Sequence, residues 1–214
     1  MKTLNQYIKE KLIINKDYHD TKIVVKSSDE LRKIIEQRYE EYGPGTKQNP
    51  IDFNDIDVSN IDSFCNHIGK GIFDNTKFKY IDISGWDVSN VKSMYNMFAY
   101  CKELELIGDI SDWDTSSVTN MSQMFAFCKK FNQDISKLDV SNVTDMAYMF
   151  QGCNNFNQDI SDWDVSSVTD MSFMFFGCKS FNQDISDWNV SNVMNKIGMF
   201  DNCPIKNEYK PKFK

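Results

Sequence analysis

Recurring carboxylates are the side chains of this sequence best suited to chemistry. With a period of 25 to 27 residues, an aspartate returns four residues before and one residue after a marker position. The first column consists of Asp82, Asp109, Asp134, Asp159 and Asp184, and the second of Asp87, Asp114, Asp139, Asp164 and finally Asn189. Because stacked like charges repel each other, these carboxylates need hydrogen-bond donors or a positively charged ligand.

Two interpretations of the aspartate columns remain open. In the first, each carboxylate accepts hydrogen bonds from backbone amides or from serine and asparagine residues of the next repeat, such as Ser84, Ser89 and Asn90. In the second, the columns form a surface for a cation or a basic partner. The recurring serines favour the first interpretation, and the glycine-rich nonapeptide of calcium-binding β-rolls is absent. We therefore predict no metal site.

The residue just before the marker varies along the chain, and it reads Gly85, Asp112, Lys137, Asp162 and Asp187. A variable polar position within a fixed pattern predicts exposure to solvent, so a ligand surface is expected there and on the adjoining column. The candidate partner-binding residues are Asp87, Asp112, Asp114, Asp162, Asp164 and Asp187.

Catalytic motifs are absent from the sequence. The two histidines, His19 and His67, lie outside the well-formed repeats, and the serine columns have no histidine in phase. No H-E-x-x-H, C-x-x-C, phosphate-binding glycine loop or nucleophile elbow occurs. We predict neither an enzyme nor a cofactor.

The carboxylates sit in near copies of one segment, which reads FNQDISKLDVSNVTDMAYMFQGC from Phe131. A fixed period of this length is typical of a solenoid of stacked coils. The predicted core columns are the markers Trp86, Trp113, Leu138, Trp163 and Trp188, with Ile83, Ile110, Ile135, Ile160 and Ile185, Val91, Val118, Val143, Val168 and Val193, and Met97, Met124, Met149, Met174 and Met199, each followed by phenylalanine. Within a coil, D-I-S-x-W and V-T-D-M are predicted to be short strands, and S-x-M-F-x-x-C a helical turn.

The sequence divides into three parts. Residues 1–50 do not repeat, and they predict a helix over 3–14, a strand over 22–26 and a helix from a cap at 27–30 to about Tyr42, forming a small α+β cap or anchoring segment. Residues 51–203 predict about six coils, the first of them degenerate. Residues 204–214 form a basic tail, either frayed or docked.

Five of the six cysteines share one repeat phase, and they are Cys101, Cys128, Cys153, Cys178 and Cys203. Stacking at about 4.8 Å would just admit a disulfide. However, parallel side chains point the same way, and an odd column cannot pair completely. Buried free thiols are the favoured interpretation.

Charge and composition narrow the function classes. The chain is 41% hydrophobic, which argues against disorder. Residues 51–203 carry 10 basic and 22 acidic residues, an excess that repels nucleic acid and suits a basic protein, a cation or simple solubility. No signal peptide, lipobox or membrane span is recognisable. We expect a cytoplasmic or virion- or assembly-associated protein, displayed on a cell surface only by a non-classical route.

The repeat F-N-Q-D-I-S-x-W-D-V-S-N-V-T-D-M-x-x-M-F-x-G-C resembles the BspA-type leucine-rich repeat of bacterial surface proteins, mycoplasma lipoproteins and some protist and viral proteins. The resemblance covers residues 80–203 strongly and 51–79 weakly. It implies a leucine-rich-repeat-like solenoid, with short parallel strands and one helical turn per coil, and a role in protein interaction or adhesion.

Three functions are compatible with the sequence. The favoured one is a non-enzymatic protein-interaction module that presents an acidic solenoid surface to another protein. The alternative is a structural protein of a virion or other assembly, docked through its N-terminal segment. The third, an enzyme, would require a cleft that places His19 or His67 beside a carboxylate.

Overall fold

The computed structural model describes residues 22–213, and its regular elements are short. Strand β1 (Ile23–Val24) and helix α1 (Ser28–Tyr42) come first. They are followed by β2 (Ile51–Asp52), β3 (Ile56–Asp57), β4 (Ile81–Asp82) and a 3-10 helix (Asn207–Tyr209). Strand β1 pairs in parallel with β3, and β2 pairs in parallel with β4. The predicted helix over 3–14 lies outside the described residues.

Helix α1 begins and ends where its sequence predicts. The side chain of Ser27 accepts a hydrogen bond from the backbone N–H of Glu30 at 3.2 Å, which satisfies one of the free amides of the first turn. Gly43, with a φ of 73°, ends the helix and donates its N–H to the Tyr39 carbonyl. The buried face consists of Leu31, Ile34 and Ile35.

Two arginines attach α1 to the first repeat. Arg32 donates to the carbonyls of Gly71 and Asp74. Arg38 donates to the carbonyl of Asp52, and its guanidinium lies 2.6 Å from the Asp55 carboxylate. Residues 22–50 therefore pack against the repeats, and they occupy backbone acceptors at this end of the molecule.

A ladder of parallel bridges joins successive repeats through residues 25 to 30 positions apart. Its rungs are Ser63, Ser93, Asn120, Asp145, Asp170 and Asn195. Next to each of the four later rungs, alternate amides of one repeat donate to carbonyls of the following repeat. The amides of Met146, Tyr148, Phe150 and Gly152 donate in this way to Asp170, Ser172, Met174 and Phe176, at 2.8 to 3.0 Å. Because each repeat bonds chiefly to its neighbours, the ladder supports our proposal of a repeat solenoid.

The segment S-x-M-F-x-x-C does not form the predicted helical turn. It is a run of overlapping turns, in which Met149, Gln151 and Cys153 each donate to the carbonyl three residues earlier. Tyr148 and Gly152 have φ values of 59° and 67°, which an α-helix does not allow. These left-handed residues redirect alternate amides towards the next repeat, so the segment bonds between repeats rather than along itself.

The two predicted strands of each repeat are also shorter than expected. V-T-D-M contributes a single bridge residue, such as Asp145. D-I-S-x-W is mostly a turn, in which the Trp163 amide donates to the Ile160 carbonyl at 3.2 Å. Among the described residues, this segment begins as a strand at β4 and at the equivalent β2 of the degenerate first repeat, which pair through Asp52 and Asp82. The turn positions the isoleucine and the tryptophan inward and the two residues between them outward.

The predicted core columns are confirmed. The marker, isoleucine and methionine positions are all buried, and in the last repeat Val193 and Phe200 are partly exposed. The phenylalanines after the methionines stack, with ring centroids 5.4 to 5.9 Å apart from Phe98 to Phe175. A second phenylalanine column, which was not predicted as core, consists of Phe131, Phe156 and Phe181. Its ring centroids lie 4.1 to 4.2 Å from those of the first column.

The cysteine column consists of free thiols, as predicted, and four of its five members are fully buried. Each of these four also donates its S–H to a phenylalanine carbonyl of the preceding repeat at 2.9 Å, a bond that was not predicted. Burial raises the pKa of the Cys128, Cys153 and Cys178 thiols, so they stay protonated and remain donors at neutral pH.

One rung of the ladder, Asp145, is a carboxylate whose charged form is unfavourable in the folded state. Asp145 is half-buried, and its desolvation, with the neighbouring charge of Asp170, raises its pKa above the usual range. Its Oδ1 accepts the Ala147 N–H at 2.9 Å. Since the pKa is raised in the folded state, the stability linked to Asp145 is present at low pH and is lost as pH rises through the folded pKa. Asparagine already fills this column at Asn120 and Asn195.

Replacing Trp163 by alanine should lower the free energy of unfolding by about 3–5 kcal/mol, because it opens a cavity in the core. Trp163 is 5% exposed. Its indole nitrogen has no hydrogen-bond partner within the described residues, so the loss reports packing. Urea denaturation measures the effect. Trp163→Leu is the matched control and should cost less, since Leu138 fills the same column. A loss below about 1 kcal/mol for Trp163→Ala would contradict a buried marker column.

Replacing Asp145 by asparagine should raise the melting temperature at pH 7 by roughly 1–3 °C, since it removes a desolvated charge and keeps the oxygen acceptor. The gain should vanish near pH 3, where aspartate is also neutral. Thermal unfolding at both pH values measures it, with the exposed Asp112→Asn as control. A variant that is less stable at pH 7, or equally improved at both pH values, would show that the Asp145 charge is not the cause.

Candidate functional site

We group the exposed aspartates of the later repeats under the name acidic face. We use this name for Asp109, Asp112, Asp114, Asp134, Asp139, Asp159, Asp162, Asp164, Asp184 and Asp187, all of which are exposed. The D-I-S-x-W turn projects them from the surface while it buries the isoleucine and the marker. Lys137 takes the place of an aspartate in one repeat. Asp87, the sixth candidate, is exposed in the preceding repeat.

Three of the six candidate residues accept hydrogen bonds from the turn in which they lie. Asp87 accepts the N–H and the hydroxyl of Ser89 at 3.1 and 2.6 Å, and Asp114 binds Ser116 in the same way. Asp164 accepts the N–H of Ser166 at 3.0 Å. The serine hydroxyl and amide lower the pKa of all three carboxyl groups. One oxygen of each is thus committed to an Asx-turn.

The aspartates four residues before the marker have the same role. Each accepts the N–H of the serine two residues later at 2.9 to 3.0 Å, as Asp134 does from Ser136. The hydrogen bond from the Ser136 N–H is the main reason that the pKa of Asp134 is lowered. Amide and serine donors were therefore predicted correctly, but they belong to the same repeat and not to the next one. The reason is geometric, since an Asx-turn closes over two residues.

The other three candidates have uncommitted carboxylates. Asp112, Asp162 and Asp187 are exposed and accept no hydrogen bond from residues 22–213. They also form none of the ion pairs found in that range. The structure thus divides the candidates into three that stabilise turns and three that are available to a ligand.

Within residues 22–213, no ion pair neutralises a carboxylate of the acidic face, although the hydrogen bonds from Ser136 and, after them, the charge of Lys137 lower the pKa of Asp134. The ion pairs among residues 22–213 include Arg38 with Asp55 and Lys130 with Glu103, and none involves a residue of the face. The same residues contain no group of three or more acidic, cysteine or histidine side chains placed to hold a metal ion.

A cleft of about 610 Å³ opens beside the first repeats of the acidic face. It lies where the repeat gains two residues, within 104–109, and its lining includes Tyr80, Asp82 and Lys137. Gln133 spans the extra residues, since its side-chain oxygen accepts the Ile107 N–H and its nitrogen donates to the Gly108 carbonyl. The lengthened connection is thereby held against the next repeat.

His67 does lie beside a carboxylate, the arrangement that an enzyme would require. Its Nδ1 is 3.2 Å from the Asp29 carboxylate in a cleft of about 230 Å³ that Cys65 also lines. However, the Cys65 thiol donates to the Asn66 carbonyl, and burial raises its pKa. Both features disfavour the thiolate that nucleophilic catalysis needs. His19 lies outside the described residues.

Among residues 22–213, no helix has the length and apolar character needed to cross a membrane. Neither a curated protein nor a solved structure is significantly similar to the chain. One family model does match it, over residues 48–107 and 104–212, which together include every repeat. That model is described as "Mycoplasma protein of unknown function, DUF285", and the chain belongs to this family.

Proposed function

We propose that this protein is a non-enzymatic interaction module whose acidic face binds another protein with a basic surface. The observation that carries the proposal is the set of exposed, uncommitted carboxylates at Asp112, Asp162 and Asp187. Neither folding contacts nor ion pairs of the described chain use them. Their replacement should therefore affect binding without affecting the fold.

The proposed architecture is a repeat solenoid similar to the BspA-type leucine-rich repeat. The repeat sequence and the ladder from Ser63 to Asn195 support it. Such an architecture repeats each side chain at about 4.8 Å along the stack. A partner with several lysine or arginine residues can then engage several coils at once, which suits the protein-binding role that the resemblance implies.

The electrostatics favour fast, salt-sensitive association. An extended surface of one sign steers an oppositely charged partner and raises its association rate. Exposed charges are screened beyond about 8 Å at physiological salt, so affinity should fall as ionic strength rises. The Asx-turns keep the surrounding carboxylates ionised, because they lower the pKa of groups such as Asp114 and Asp164.

The alternative is a structural protein of a virion or other assembly that docks through its N-terminal segment. Residues 22–50 already pack on the first repeat through Arg32 and Arg38. A docking element would therefore have to lie mainly within residues 1–21, outside the described residues. A cytoplasmic or assembly-associated location stays a prediction under both functions.

Charge reversal at the three uncommitted carboxylates tests the proposal. Full-length protein carrying Asp112→Lys, Asp162→Lys and Asp187→Lys should lose at least about 90% of a specific partner captured from native lysate, because it loses the main attraction. Its melting temperature should stay unchanged. The matched control carries Glu40→Lys, Asp62→Lys and Glu208→Lys, three exposed acids with the same change in net charge.

Equal capture by both charge variants would contradict a role for the acidic face. If the partner is instead lost when residues 1–21 are removed, and is retained by the triple reversal at the face, the structural alternative is favoured. Capture should also weaken as salt is raised from 0.05 to 0.5 M, an experimental range chosen to shorten the screening length.

A further inference from the structure

The ladder ends in a row of unused backbone amides at the last repeat. The carbonyls of Asn195, Ile197, Met199 and Asp201 accept bonds from the preceding repeat. In each earlier repeat, the residues that alternate with these acceptors donate their amides to the following repeat, as Phe173 and Phe175 do. The amides of Gly198, Phe200 and Asn202 donate no hydrogen bond to any residue within 22–213. We call residues 195–202 the open edge.

The opposite end of the ladder is covered. The carbonyls of Asp55 and Asp57 accept the amides of Ile23 and Val25, at 2.7 and 3.2 Å. Ser28 donates to the Ser63 carbonyl, and Arg32 reaches the carbonyls beyond it. Ser28, Arg32 and β1 thus occupy backbone acceptors at this end, whereas the amides at the other end stay unused. Unprotected edges are unusual, since they invite pairing with another chain.

Two side chains beside the open edge are more apolar than their counterparts in the preceding repeat, whereas Lys196, Gly198 and Asp201 replace the larger apolar residues Met171, Phe173 and Phe176. Met194 is 88% exposed where the preceding repeat has Thr169, and Ile197 is 68% exposed where it has Ser172. The outer face of a terminal repeat is ordinarily polar, because it meets solvent. Met194 and Ile197 are thus two exposed apolar side chains that a bound chain would cover.

The charge around the open edge is positive, in contrast to the acidic face. The Lys196 ammonium lies 4.4 Å from the centre of the Phe213 ring, and that of Lys210 lies 5.5 Å from the centre of the Phe200 ring. The tail carries the exposed Lys206 and Lys212 together with the exposed Glu208, and Asp201 is the acid of the edge itself. The tail therefore docks beside the edge and adds cations to it.

A second copy of the chain does not fit this edge. A two-fold axis would place amide donors opposite amide donors, which leaves both rows unpaired. Head-to-tail stacking would need free acceptors at the other end, where Arg32, Ser28 and β1 already occupy them. The occupant must instead present carbonyls from an extended backbone.

We propose that the open edge binds an extended acidic segment of another protein, which adds to the ladder as a further strand. Its carbonyls accept the amides of Gly198, Phe200 and Asn202. Its carboxylates lie near Lys196 and Lys210, and its apolar side chains cover Met194 and Ile197. Strand addition of this kind takes its affinity from main-chain hydrogen bonds and its selectivity from alternate side chains.

Amide hydrogen exchange on the full-length protein tests the proposal. The probe is a capped peptide of alternating glutamate and valine, long enough to span residues 195–202, and the comparison peptide alternates lysine and valine. The acidic peptide should slow exchange within 198–202 by about tenfold or more, because the amides become hydrogen-bonded. The lysine peptide should leave exchange unchanged.

Two variants separate the contributions to binding. Lys196→Glu with Lys210→Glu should weaken binding of the acidic peptide by about tenfold, or about 1.4 kcal/mol. Lys137→Glu, an exposed lysine on the acidic face, should have no effect. Met194→Thr with Ile197→Ser gives the edge the residues of the preceding repeat, and it should also weaken binding without lowering the melting temperature.

Three outcomes would overturn the proposal. The first is bound acidic peptide with unchanged exchange at 198–202, which would mean charge attraction to the lysines alone. The second is slow exchange at 198–202 in the free protein at all concentrations, which would mean that the edge is already covered. The third is protection that grows with protein concentration alongside dimer formation, which would assign the edge to a second copy.

Discussion

The hydrogen bonds between turn segments of successive repeats are the interaction on which the rest of this structure depends. Left-handed residues such as Tyr148 and Gly152 aim alternate amides at the next repeat, and four bonds then fix the register of each of the four later junctions. With the register fixed, every other column follows. The phenylalanine rings stack, the buried thiols reach the preceding carbonyls, and the marker residues fill one continuous core.

A fixed register also stacks like charges, and the chain limits this cost locally. Most aspartates of the acidic face bind the serine two residues later, so their charge is spread over an amide and often a hydroxyl. Repulsion between repeats is thus offset mainly within each repeat, and Lys137 is the one basic residue at the variable position before the marker. Asp145 is compensated only in part, since it is half-buried and lies beside Asp170. The fold therefore carries negative charge on its surface more easily than in its ladder.

The sequence predicts the periodic features of this protein well, because a repeat places equivalent residues in equivalent surroundings. It identified the buried columns, the ends of α1 at Ser27 and Gly43, and the exposure of the position held by Asp112. It did not reveal the turn conformation, because bulky residues such as Tyr148 and Phe173 adopt left-handed φ values that usually indicate glycine. It also could not separate Asp114 from Asp112 as a candidate, since that depends on which carboxylate meets an amide.

The two extra residues within 104–109 show which side of a repeat is free to change. The ladder bonds lie in the turn segments. The lengthened connection is held by the Tyr80–Leu106 bridge to the preceding repeat and by the side chain of Gln133 from the following one, and the register of the ladder continues unaltered. Evolution can therefore lengthen this side in any coil and leave the stacking intact. A family built in this way can acquire new loops, and with them new specificities, on a scaffold whose core does not have to be redesigned.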